Sequence, residues 1–172
     1  MLSGWSGSGK DAAASLLVEE MHFFRLAFAD MLKHAVSQES NIPLDYFHDR
    51  LLKDTPFGDT ALTPRDLLLA HALRARATDP DIYSRILVEK IQPGCRYIIS
   101  DWRYKREYEY IAHELDQKAD IVRARIVRPK VFPSADHTEH DLDGDTFDVV
   151  IDNSGCISDL RMALRAIFRL SP

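Results

Sequence analysis

"MLSGWSGSGKDAAASLL", residues 1–17, decides how the rest of the chain is read. Gly4, Gly9 and Lys10 fit the spacing G-x-x-x-x-G-K. Glycines let main-chain N–H groups converge on phosphate oxygens, and a helix starting there adds the positive end of its dipole. Lys10 is placed to reach terminal phosphates. Ser6 and Ser8 keep the loop small and polar. A helix is expected from about Gly9 to about Met21. Its immediate start argues against the competing reading, a Gly/Ser-rich turn at a disordered chain start. Asp11 stands where a hydroxyl is usual. A carboxylate there binds Mg²⁺ directly or through a water, or compensates the helix dipole in the first turn; both readings stay open. Only Met1, Leu2 and Ser3 precede Gly4, so the strand feeding the loop is either very short or clipped at its start.

Composition narrows the class. The chain has 172 residues, suited to one domain, and 45% of it is apolar, enough for a sizeable core without disulfides. It holds no run of eighteen apolar residues, so no membrane association is expected, and its start does not read as a signal peptide. Cys95 and Cys156 are isolated, without metal spacing. They read as buried or incidental thiols of a reducing compartment, hence a cytoplasmic protein, or one of the host-cell cytoplasm if the source is viral. With 22 Lys and Arg against 27 Asp and Glu, the net charge is −5. That balance disfavours nucleic acid as a partner. Anionic ligands would need local arginine clusters.

Apolar, β-branched runs alternate with helix-period stretches, which predicts an α/β fold with a mostly parallel sheet. "FFRLAFAD" reads as a strand ending near Ala29, "DMLKHAVSQ" as a helix and "PLDYFHDRLL" as a short helix. Thr63 caps a helix opening at Pro64. "DIYSRILVEKI" is a further helix, ending at Pro93-Gly94. "RYIISD" is a strand closing on Asp101, "YKREYEYIAHELDQKA" a helix and "IVRARIV" a strand. Residues 129–146 read as a long polar loop. "FDVVID" is the last strand, before a helix capped by Ser158.

Ligands of open α/β sheets bind beyond the carboxyl ends of strands. Those ends carry Asp30 and Lys33, then Asp101 and Arg103, then Arg123 and Arg125 leading to Arg128. Asp101 fits a Mg²⁺-directed carboxylate or, alternatively, an N-cap for the helix near 104. Arg65, Arg74 and Arg76 lie on one predicted helix, with Arg65 and Arg76 on a shared face; a solvated face is the competing reading. "HTEH" at 137–140 fails the spacing of a zinc helix. "DLDGDTFDVVID" lacks the glycine and glutamate of a calcium loop.

In order, "SGSGKDAAA", "FADMLK", "TPRDLLLAHALRAR", "IISDWRYKREYEYI" and "VRPKV…HTEHDLD…FDVVIDNSGCISDL" resemble the bacteriophage-type deoxynucleoside monophosphate kinases, of the phosphate-loop nucleotide kinase superfamily. The resemblance covers nearly the whole chain, and the GKD loop and "SDWR…E" are its most specific parts. It implies a three-layer kinase fold, a parallel sheet flanked by helices, with a helical monophosphate-binding region over 30–92 and a lid over 129–146. It implies transfer of the γ-phosphoryl of ATP, with Mg²⁺, to a deoxynucleoside 5′-monophosphate. Gly7 to Asp11 would hold the ATP phosphates and Asn153 would lie near the adenine. Asp30, Lys33, Arg65 and Glu107 would serve the acceptor, Asp101 and Arg103 would sit between the two substrates, and Arg128 would belong to the lid. Asp11 and Asp101 are the expected Mg²⁺ ligands. Oligomeric state stays open, a homodimer included.

Animal-type phosphomevalonate kinase is also similar in "SGSGKD". Its substrate has no base to stack, whereas Phe28, Trp102 and Tyr104 are candidate walls for one. A rival of another class is a nucleotide-sensing or single-strand-binding module, since "WRYKREYEY" interleaves basic and aromatic residues. The acidic balance and the helical period of Tyr104, Tyr108 and Ile111 weigh against it.

Overall fold

The computed structural model describes every residue except 50, 59, 117, 134–139 and 169–172. The chain carries β1 (Leu2–Ser3), α1 (Lys10–Met21), β2 (Phe24–Leu26), α2 (Phe28–Ser40), α3 (Asp45–His48), α4 (Pro64–Thr78) and α5 (Ile82–Val88). Then follow β3 (Tyr97–Ile99), α6 (Lys105–Leu115), β4 (Ala124–Val127), β5 (Val149–Asp152) and α7 (Ile157–Phe168). It divides into two compact units: Met1–Ala27 with Lys90–Pro172, and Phe28–Glu89.

The first unit is α/β, with every strand pair parallel. Its described strands form two ladders rather than one sheet, β1-β4-β5 and β2-β3. β1 has two residues, which pair Leu2 with Ala124 and Ser3 with Arg125. Side chains alternate across a strand. Ala124 and Ile126 therefore share one face, buried in a core with Leu2, Ile98 and Ile151. Leu16 and Leu17 of α1 and Leu160 and Leu164 of α7 close that core. Arg123 and Arg125 point to the opposite face, where the Arg123 guanidinium stacks 5.0 Å from the Tyr108 ring of α6. Helices thus flank the strands on both sides.

The second unit is helical. Its core is Val36, Ile42 and Phe47, with Leu32, Tyr46, Phe57, Leu67 and Leu68 packed against it. Thr63 caps α4 as expected and does so reciprocally: its side chain accepts from Asp66 N, while Asp66 accepts from Thr63 N at 2.9 Å.

Several expectations need correction. The strand read through Ala29 stops at Leu26, and α2 starts at Phe28. Phe28, Leu32 and Val36 recur every four residues, and that helical face outweighed the β-favouring run before it. "PLDYFHDRLL" is not one helix. Asp49 turns extended and its Oδ1 accepts from Leu51 N and Leu52 N at 2.7 and 2.9 Å, which ends α3 before a 3₁₀ turn over Leu52–Asp54. Ser158 lies inside α7 and does not cap it; Asp159 instead accepts the Cys156 N–H at 2.8 Å. Cys95 and Cys156 are exposed free thiols, not buried ones.

Candidate phosphate-binding site

The loop between β1 and α1 is shaped by its glycines. Gly4, Gly7 and Gly9 have φ of 144, 80 and 106°. A Cβ on Gly4 would stand 2.5 Å from Ile126 O, and one on Gly9 would stand 2.2 Å from Asn153 Nδ2. Only glycine fits either position. Ser8 N donates to Trp5 O at 3.1 Å, closing the turn. Lys10, the first residue of α1, folds back over it, and its ammonium donates to Gly4 O at 2.6 Å and Trp5 O at 2.9 Å. A cation is thereby held at the concave side of a loop that leads into a helix N-terminus. The Ser8 hydroxyl is buried against Gly4 with no hydrogen-bond partner among the described residues. Such an orphaned donor fits a site completed by an anion's oxygens. Asp11 is exposed in the first turn of α1, and Ser6 is exposed in the loop.

Asn153, the residue that the resemblance puts near the adenine, is held against the phosphate loop. It follows β5, is 8% exposed, and its amide donates to Ser8 O at 2.8 Å. Its main-chain N donates to Val127 O at 2.8 Å. Asn153 therefore buttresses the loop from beneath.

The "SDWR" segment reaches the same place. β3 ends at Ile99, and Ser100 N extends its ladder to Leu26 O at 3.1 Å. Asp101 follows, half-buried. It does not cap the next helix. That cap is Tyr104, with Glu107 accepting from Arg103 N and Tyr104 N at 3.0 and 3.1 Å. Glu107, expected at the substrate, is 8% exposed and spends its carboxylate on this turn. Arg103 is exposed; with Gly4, Trp5 and Arg125 it lines a narrow crevice beside the loop. Trp102 is 1% exposed, packed 5.9 Å from Tyr108 and 5.8 Å from Phe147. Trp102 and Phe28, expected as walls of a base pocket, are core residues. Among the aromatics of "WRYKREYEY", Trp102 and Tyr108 pack on each other rather than stand ready to stack bases.

Sequence reading passed over the cluster around Arg125. Its guanidinium lies 5.3 Å from the Trp5 ring and 5.2 Å from the Phe147 ring. It donates to Leu142 O at 3.0 Å and pairs with Asp143 at 2.8 Å. Burial works to raise the Asp143 carboxyl, but hydrogen bonds from Arg125 and His140 outweigh it and hold the group below the usual carboxylate range. Asp141 accepts from Lys105 N at 2.8 Å and Leu142 is buried. The later part of the segment expected as a lid is therefore tied to the body beside the phosphate loop. Residues 134–139, with most of "HTEH", lie outside the described residues. Arg128 is exposed, one residue beyond β4. A tryptophan amid glycines and serines was the available signal for this cluster.

Asp30, Lys33 and Arg65 belong to the second unit. Asp30 and Lys33 are not strand-end groups, and Arg65 lies on a helix as expected. Asp30 and Lys33 sit in the opening turns of α2, 3.4 Å apart, and Lys33 also lies 3.3 Å from His48 Nδ1. Desolvation, then the Lys33 charge, lowers the His48 pKa. Arg65 opens α4 and forms a two-pronged ion pair with Asp54, whose carboxyl it holds below the usual range. Arg74 pairs with Glu39 at 2.6 Å, and Arg76 stacks 5.2 Å from the Tyr83 ring.

Among the described residues no three His, Cys, Asp or Glu side chains gather as a metal site. Mg²⁺ held by one or two carboxylates and substrate phosphates requires no such cage. No described helix is long and apolar enough to cross a membrane. No protein-family model and no curated protein sequence matches the chain.

Proposed function

We propose that this chain is a nucleotide kinase of the three-layer phosphate-loop class, moving the γ-phosphoryl of ATP to a deoxynucleoside 5′-monophosphate to give dNDP and ADP. The observation that carries the reading is the glycine loop with the Lys10 ammonium docked on its own carbonyls, beside the turn that carries Arg103. Phosphoryl transfer asks for positioning and charge neutralisation more than for covalent chemistry. Main-chain N–H groups of the loop would cradle the donor phosphates, and Lys10 would exchange its two carbonyl partners for phosphate oxygens. Asp101 and Asp11 would hold Mg²⁺, which would supply further neutralisation of the transferring group. Arg103 and Arg128 would pair with phosphoryl oxygens through two N–H groups each. The family resemblance assigns Asp30, Lys33 and Arg65 to the acceptor monophosphate.

Trp102 and Phe28 are buried, which leaves the half-buried Tyr104 of the three candidate walls that argued for a base over phosphomevalonate. A coupled ADP-release assay therefore compares the four dNMPs with phosphomevalonate. Turnover with at least one dNMP and none with phosphomevalonate is expected. Turnover with phosphomevalonate alone would replace the substrate class, and no acceptor-dependent ADP release with any of them in the presence of ATP and Mg²⁺ would reject the kinase.

A further inference from the structure

Arg125 stands between the phosphate loop and the turn that carries Arg103. The ladder register sets it opposite Ser3, the residue before Gly4. Its side chain is 12% exposed, although withdrawing a guanidinium from water is costly. The group lies 5.3 Å from the Trp5 ring and 5.2 Å from the Phe147 ring. Phe147 packs 5.8 Å from the ring of Trp102, which lies between Asp101 and Arg103 in the chain. A row of contacts therefore runs Trp5, Arg125, Phe147, Trp102. At its loop end the Trp5 carbonyl receives the Lys10 ammonium at 2.9 Å and the Ser8 N–H at 3.1 Å. The N–H groups of Arg125 donate to Leu142 O at 3.0 Å and to Asp143 at 2.8 Å, which fixes the plane of the fork. Arg123, on the same face of the chain, is built alike: it pairs with Asp148 at 2.9 Å and lies 5.0 Å from the Tyr108 ring. It precedes β4, at the end away from the loop.

We propose that Arg125 is a positioning residue for the ATP side of the site: it holds the Trp5 ring, and with it the carbonyl on which Lys10 rests, in register with the Trp102 turn. The inference rests on the phosphate-loop reading and adds to it the group that sets where the loop stands. A guanidinium is planar, so it can lie against aromatic rings and donate within its plane at the same time. A lysine ammonium is a hydrated point charge and can do one or the other. With the ring released, the Trp5 peptide is free to turn, and Lys10 and the Ser8 N–H lose a shared acceptor. The donor phosphates would then meet a loop that must be reordered on binding, which weakens that binding. The acceptor monophosphate, assigned to Asp30, Lys33 and Arg65, would be indifferent.

The test compares Arg125→Lys with Arg123→Lys, the same change in the same chemistry away from the loop. In the ADP-release assay Arg125→Lys should raise KM for MgATP about tenfold and leave KM for the dNMP within about twofold of the parent. Arg123→Lys should leave both KM values level whatever it does to Tm, because KM does not depend on the fraction of chains folded. Trp5→Leu, which removes the ring, should repeat the ATP defect, and the double variant with Arg125→Lys should be no worse than either single, since one contact is lost in all three. Without ligand, amide exchange at Ser8 should quicken at least about tenfold in Arg125→Lys and in Trp5→Leu, and not in Arg123→Lys. That readout needs no turnover: a parent that releases no ADP rejects the kinase, and Ser8 exchange still decides whether Arg125 holds the loop. Ser8 exchange equal in the two lysine variants, an unchanged KM for MgATP in Arg125→Lys, or losses that multiply in the double variant would overturn the proposal. Were Arg125→Lys not to fold, parent-like Ser8 exchange in Trp5→Leu would overturn it.

Discussion

Gly9→Ala tests whether the loop is built as described. At Gly9 the backbone has φ 106°, a conformation L side chains rarely adopt, and a Cβ there would stand 2.2 Å from Asn153 Nδ2. Holding a non-glycine residue in such a conformation costs roughly 1–3 kcal/mol. The amide must also move, and its hydrogen bond to Ser8 O is buried. Leaving such a pair unmade costs about 1–3 kcal/mol more. The substitution should therefore destabilise the chain by about 2–6 kcal/mol, read as a fall in urea midpoint at constant slope. Asn153→Ala removes the group that clashes. Its own cost should be about 1–3 kcal/mol, and the double variant should lose less than the two singles together, since the same hydrogen bond is broken only once. A Gly9→Ala midpoint equal to the parent's, or strictly additive energies in the cycle, would refute the close approach of loop and Asn153.

Four other outcomes are expected. Lys10→Ala should lower kcat about a hundredfold or more, the loss of one preorganised electrostatic contact, measured by ADP release; near-parent kcat would remove Lys10 from the chemistry. Asp101→Asn should abolish most turnover with Tm almost unmoved, because Tyr104 and Glu107, not Asp101, make the cap of α6; a large Tm loss with activity retained would reverse that assignment. Arg128→Lys should lower kcat roughly tenfold, since a point charge cannot copy a planar fork, while ATP affinity without acceptor stays level; unchanged kcat would take Arg128 out of the site. Stability of the 172-residue chain should rise between about pH 5 and 8: in that window the unfolded amine of Met1 holds a proton that the folded one, with its pKa lowered to about 5, has lost. The gain across the window is about 4 kcal/mol at most, followed by urea melts, and Nα-acetylation should flatten it; a parent curve as flat as the acetylated one would contradict the burial of the amine.

The parts legible in the sequence were those governed by local chemistry. Gly4, Gly9 and Lys10 announced the loop because backbone torsion and charge are properties of single residues. Thr63-Pro64 announced α4 because capping is settled within four residues. Strand ends were harder. Phe28 looks like the last residue of a strand, and only its packing with the helical face of Leu32 and Val36 makes it the first of a helix. Arg125 was invisible as a structural centre because its partners, Trp5, Leu142, Asp143 and Phe147, are scattered along the chain. Glu107 and Asn153 were noticed for the right neighbourhood. Their hydrogen bonds to the turn before α6 and to the phosphate loop depend on burial, which no spacing rule supplies. The separation of the described strands into two ladders depends on which edges pair, and residue type does not announce that.

The central claim is that this loop serves phosphoryl transfer to a nucleotide. The most direct measurement follows γ-labelled ATP with Mg²⁺ and each dNMP, separating the nucleotides after single turnover, for the parent and for Lys10→Ala. The account predicts label in a deoxynucleoside diphosphate for the parent and about a hundredfold less for the variant. Label remaining in ATP, or released only as inorganic phosphate with every acceptor, would contradict it.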